Sequence, residues 1–229
     1  ILSDAAYYGP ATEMLRRAVA LSASVGDVKQ SIFAQSMLGR ALLLCGDVDG
    51  AVAALDASTN ESRRVWTAFL PWPQSLRAEA ELLRDRVDSA AELFEQAFAL
   101  GCQLGDPCWE GMAGRGLGRV AMARGQPAQA AEILLDALKR CTRLPDGYLW
   151  GKAYALDALC HAAGKARMPQ ARAWAEELMA LAARAGMREM VVRAYLHQAD
   201  GGHAPAAAAA RVLAHEIDNP QLRAEALYS

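Results

Sequence analysis

The sequence predicts an all-α fold: a right-handed superhelical stack of antiparallel helix pairs, an α-solenoid with a period of about 40 residues. Three observations predict it. Alanine and leucine dominate while β-branched residues are sparse, which favours helix over sheet. Three sets of punctuation marks recur at one common period. Between the marks the apolar residues keep helical spacing, and no stretch alternates as a strand would.

The first marker is a turn followed by an alanine, seen in GDVDGA (46–51), DRVDSA (85–90), GQPAQA (125–130) and ARMPQA (166–171). The alanines Ala51, Ala90, Ala130 and Ala171 follow one another at 39, 40 and 41 residues. Half a period away lie Gly26-Asp27, Gly105-Asp106, Pro145-Asp146 and Gly186-Met187. The third series is Leu38-Gly39, Leu117-Gly118, Leu156 and Leu196.

Each repeat therefore reads as helix A, tight turn, helix B, loop. Leu93, Ala97, Leu100 and Leu104 lie at i, i+4, i+7 and i+11, a spacing that puts them on one helical face; Phe94 and Phe98 widen it. Gly46, Gly125 and Gly164 fall where helix A ends and a left-handed residue is wanted. Asp49 and Asp88 are expected to cap the helices that follow. Helix B of an incomplete first repeat (1–27) is expected at about 11–25. Repeats at 28–61, 65–105, 107–145 and 147–186 come next, then a degenerate unit over 188–229 whose turn is Gly201-Gly202. Pro71-Trp72-Pro73 interrupts the second full repeat, so its A helix is expected from about Pro73, with 65–70 as a separate turn or short helix packed on the stack.

Composition excludes several function classes. Net charge is −2 and the pI about 6.1, with no basic run, so the chain lacks the electrostatic footprint of a duplex-binding protein. Five cysteines without CxxC spacing fit a reducing, cytoplasmic setting, with neither a disulfide framework nor structural zinc. No membrane segment or signal peptide is read, and a chain opening on Ile1 reads as a piece of a longer protein. Gly111, Gly114, Gly116 and Gly118 fail the GxGxxG spacing and suit close helix packing better. His161, His197, His203 and His215 form no metal motif and read as surface histidines. No cysteine or serine has a local base. No catalytic, cofactor or metal residue is therefore expected, and the chain is not read as an enzyme.

The marker order resembles that of tetratricopeptide-type helix pairs. Leu38-Gly39, Gly46-Asp47 and Ala51 reproduce it, and Leu117-Gly118, Gly125 and Ala130 nearly do. The longer period and the absent mid-helix aromatic depart from that motif. Both are similar to the repeats of large ATP-dependent LuxR-type and related actinobacterial transcriptional regulators. Two stretches carry this resemblance, FLPWPQSLRAEAELLRDRVDSAAELFEQAFALGCQLGDPCWEG and LPDGYLWGKAYALDALC. It implies a repeat region that senses a small-molecule inducer, a peptide or a partner protein, in contact with other domains of the parent regulator. The sequence holds no GxxxxGK[ST] and no basic helix-turn-helix pattern, so ATP and DNA functions would belong elsewhere. The alternative is a free-standing adaptor that binds a partner protein or peptide.

In a helix-pair superhelix the A helices line the concave surface. Phe33, Ser36, Arg40, Glu79, Arg115, Arg119, Met122, Tyr154 and His161 are expected there. That mixture suits a peptide-like or acidic organic ligand, arginine forks taking carboxylates. The same Arg40, Glu79 and Arg119 also suit a ladder of solvated charges. Trp66, Trp72, Trp109 and Trp150, with Tyr148 nearby, are either core between A helices or the wall of a ligand site.

Overall fold

A computed structural model describes residues 2–143 and 149–228; the Pro145-Asp146 marker and Tyr148 lie outside the described residues. Among the described residues there are twelve α-helices, one short 3-10 turn and no strand. They run α1 (Tyr8–Ser24), α2 (Val28–Leu44), α3 (Val48–Val65), α4 (Pro71–Leu83), α5 (Val87–Leu104), α6 (Pro107–Ala123), α7 (Pro127–Cys141), α8 (Leu149–Lys165), α9 (Ala171–Ala185), α10 (Arg188–Asp200), α11 (Ala204–His215) and α12 (Pro220–Tyr228). Each helix packs chiefly on its neighbours in sequence, and α2, α4, α6, α8 and α10 also touch one another in order. The result is an α-solenoid in which even-numbered A helices form one layer and odd-numbered B helices the other.

Local chemistry sets the turns. After α2, Gly46 is left-handed (φ 84°), and the amides of Gly46 and Asp47 donate back to Leu43 and Leu42. This arrangement satisfies carbonyls that the helix end would otherwise orphan. Gly125 (φ 72°) does the same after α6. In the B-to-A turns the caps are Asp27 and Asp106, which accept from the Gln30 amide and from the Cys108 and Trp109 amides.

Three expectations are corrected. Gly164 does not end α8: the left-handed residue is Arg167 (φ 54°), whose amide donates to Gly164 while Met168 donates to Ala163. Asp49 and Asp88 sit inside their helices and pair with Arg84 and Arg124; the cap of α3 is Asp47, bonded to the Gly50 amide at 2.9 Å. The second A helix starts at Pro71 rather than Pro73, because proline costs nothing in a first turn, where its missing N–H has no partner to lose. A 3-10 turn, Thr67–Phe69, bridges α3 to it.

Pairs cross closely because small residues on A face large ones on B. Gly39 lies under Leu55 and Gly118 under Leu134, both leucines fully buried. Gly116 faces the buried ring of Phe94 across the next interface. Gly164, by contrast, has open space where a Cβ would go. Two alanine substitutions should therefore move stability in opposite directions. Gly116→Ala should destabilise by about 1–3 kcal/mol through overpacking, and Gly164→Ala should stabilise by roughly 0.5–1 kcal/mol through lower chain entropy. Urea unfolding followed by circular dichroism checks both signs.

Candidate inner-face site

The A helices bring charged side chains from different repeats into contact. Glu79 on α4 accepts from two arginines of α6, Arg115 at 2.6 Å and Arg119 at 2.9 Å. Arg115 also donates through Nε to the Tyr154 carbonyl (3.1 Å) and lies over the Tyr154 ring. Burial alone would raise the Glu79 pKa, but the two guanidinium groups outweigh it and hold the carboxyl below its usual range.

Arg40 does not join that cluster. Its guanidinium meets Asp4 at 2.8 Å, the Ser3 hydroxyl at 3.2 Å and the Tyr154 hydroxyl at 3.2 Å, and it lies over the rings of Trp150 and Tyr154. Tyr154 is pushed up to about 12, chiefly by burial and further by Glu189 and Asp4, against the pull of Arg40. Ser36 is not on the concave surface. It is fully buried in the α2–α3 seam, its hydroxyl donating to the Ile32 carbonyl (2.9 Å) and lying 2.6 Å from the Ser58 hydroxyl. Met122 is half-buried against the core between α6, α7 and α8.

Phe33 is exposed at the rim and starts an aromatic array. Its ring is 5.9 Å from Phe69, which stacks on Trp66 and meets Trp109 edge-on. Trp72 continues the array to Trp109 and Trp150, and Trp150 to Tyr154. Trp72 is core, whereas Trp66, Trp109 and Trp150 are half-buried. At the opposite end, exposed His161 borders a cleft of about 740 Å3 that Lys165, Arg167, Arg172, His197 and His203 also line. Although its side chain reaches solvent, partial desolvation against the cleft wall, with neighbouring His197, lowers the His161 pKa.

Several inner-face residues went unread in the sequence. Asp157 on α8 pairs with His197 on α10 at 2.8 Å, so His197 is not an ordinary surface histidine. Arg193 bonds Glu189 at 2.8 Å and approaches Glu225 at 3.5 Å, and the Tyr8 hydroxyl donates to Glu189. Burial opposes ionisation of Asp157, but Arg193 and His197 prevail and its pKa falls well below the ordinary carboxylate range. Helical spacing carried a signal for these: Glu189, Arg193 and His197 stand at i, i+4 and i+8 on α10. The Tyr8–Glu189 bond joins the two ends of the chain, and Ala6, Tyr8, Val192, Ile217 and Leu222 share one buried cluster there.

The fold is that of known repeat proteins. BtubC (BKLC) from P. vanneervenii is similar at a TM-score of 0.58 and 18% identity, over 94% of this chain and 89% of that one. A putative kinesin light chain with nearly identical TPR-like repeats from Podosopora anserina is similar at a TM-score of 0.50 and 21% identity, over 78% and 88%. A point variant of that kinesin light chain gives 0.52 and 22% over the same shares. At these identities the similarity shows the fold, a tetratricopeptide-like stack of helix pairs. No protein-family profile and no curated protein matches the sequence.

The depressed carboxylates make an acid-stability prediction. A carboxyl whose pKa is lowered in the folded chain contributes stability that is complete above its unfolded pKa of roughly 4 and is lost as pH falls toward the folded value. Glu79→Gln should therefore flatten the decline in unfolding free energy below about pH 4 relative to the parent chain. Urea titrations at a series of pH values test this; parallel pH profiles would remove Glu79 from the acid response.

Proposed function

We propose that this chain is a ligand- or protein-sensing interaction domain of a larger transcriptional regulator, without catalysis of its own. Interaction through a helix-pair scaffold is the role its fold supports. The regulator setting rests on the sequence resemblance of 66–160 to the repeats of such proteins.

The observation that carries the recognition site is the shared carboxylate of Glu79. One carboxylate serves both Arg115 and Arg119, so the trio keeps a net positive charge. Arg115 is almost buried, while the Arg119 side chain remains 30% exposed. Arg119 is thus the inner-face arginine able to accept a second carboxylate, and the site favours an acidic peptide or organic acid. Arg40 is a poor probe of binding. Its side chain is 6% exposed, and Arg40→Glu would leave Asp4 facing a buried like charge.

Native mass spectrometry of the chain purified from its host tests the reading, with Arg119→Gln, which leaves Glu79 its bond to Arg115, as the matched control. An acidic ligand should be retained on the parent chain and weakened about tenfold or more in the variant, whose melting curve stays close to the parent's. Equal retention by both would move recognition off Arg119.

A further inference from the structure

The first helix is built as the second half of a pair. Every A-to-B turn among the described residues has one geometry: a left-handed residue whose amide bonds back three residues, followed by a residue whose amide bonds back five. Gly46-Asp47, Asp85-Arg86, Gly125-Gln126, Arg167-Met168 and Gly202-His203 all have it. So do Ala6-Tyr7: Ala6 is left-handed (φ 61°), its amide donates to the Ser3 carbonyl at 3.1 Å, and the Tyr7 amide donates to Leu2 at 2.9 Å. The B-to-A turns at Gly26-Asp27, Gly105-Asp106 and Gly186-Met187 bond in the same way, so residues 2–5 hold the conformation of a helix's last turn. The place of α1 directly ahead of the A helix α2 makes that helix A-type. Ala11, buried and bonded back to Tyr7, takes the place of Ala51 and Ala130 as the alanine that opens helix B.

This register says which side of α1 lacks its partner. Leu15 corresponds to Leu55 and Leu134, which are fully buried under Gly39 and Gly118 of their own A helices. Ala18 corresponds to Ser58, bonded to Ser36 and Ile32 of α2, and to Ala137, packed beside Gly114 of α6. Those counterparts are 0–1% exposed, yet Leu15 is only partly buried and Ala18 is exposed. Nearby Met14 and Leu21 are 60% and 66% exposed. The A–B seam seen in α2–α3 and α6–α7 thus continues onto α1 and is left half-made there.

We infer that the open side of α1 is the seat of an A-type helix that runs antiparallel to it into Leu2. That helix carries a small residue seven positions ahead of Ala6, as Gly39 precedes Gly46 and Gly118 precedes Gly125. The spacing follows from the crossing: a glycine or alanine there lets a helix approach the Leu15 position as closely as α2 approaches Leu55 and α6 approaches Leu134.

The chain supplies its own probe. Appending a second copy of residues 106–120 directly ahead of Leu2 places its Gly118 seven positions before Ala6. The fused chain should melt roughly 5 °C or more above the parent in one transition. Amide exchange over 13–25 should slow about tenfold or more, because helix opening there becomes coupled to the stack. Gly118→Leu in the appended copy alone should abolish both gains. A fusion with unchanged melting and exchange would overturn the inference. So would equal gains from the glycine and leucine forms, or sedimentation showing that the unfused chain already covers α1 as a dimer.

Discussion

Everything in this structure depends on how closely the two helices of a pair can cross. Glycine on the A helix and a large apolar residue on the B helix make the contact, Gly39 with Leu55 and Gly118 with Leu134. Between pairs, Gly116 gives the same room to Phe94. A Cβ at any of these glycines would overlap the facing side chain, so the spacing is set sterically rather than by the sum of apolar area. Close crossings let successive pairs stack tightly, and tight stacking carries the inward positions of neighbouring A helices to within hydrogen-bond reach.

That convergence explains why the inner face is charged yet largely self-satisfied. Glu79 spans from α4 to Arg115 and Arg119 on α6, Asp157 spans from α8 to His197 on α10, and Arg40 reaches Tyr154 on α8 as well as Asp4. Such pairs do little for net stability, because desolvating the charges offsets most of their attraction. What they do is penalise any other register of the A helices, since a slipped stack would bury each charge alone. The group the network leaves partly open is Arg119, which is why the proposed recognition is placed there. The Tyr8–Glu189 bond and its apolar surroundings extend the same logic to the two ends of the chain.

Much of the fold was legible because steric needs recur with the repeat. Gly46, Gly125, Asp27 and Asp106 mark turns whose backbone demands those residues, and Ala51 and Ala130 mark the crossings. Legibility failed where the period changed. The left-handed turn residues run from Gly125 to Arg167 and on to Gly202, steps of 42 and 35 residues instead of about 40. Arginine at a left-handed position gives no sequence signal, so Gly164 drew the boundary away from Arg167. The same drift hid Asp157 from alignment with Arg115 and left His197 looking like a surface residue. Ser36 was misplaced for a different reason: a serine that donates to its own helix carbonyl can be buried in a seam, and polarity alone does not distinguish that from a groove.

A double-mutant cycle across one crossing measures the governing constraint most directly. Gly118→Ala, Leu134→Ala and the double variant are to be compared with the parent chain by urea unfolding. Leu134→Ala alone should cost about 2–5 kcal/mol and Gly118→Ala alone about 1–3 kcal/mol. The double variant should cost less than their sum by about 1 kcal/mol or more, because the shortened side chain frees the space that the new Cβ needs. Strict additivity of the two costs would contradict the steric origin of the close crossing, and with it the steric cause of the convergence of the inner face.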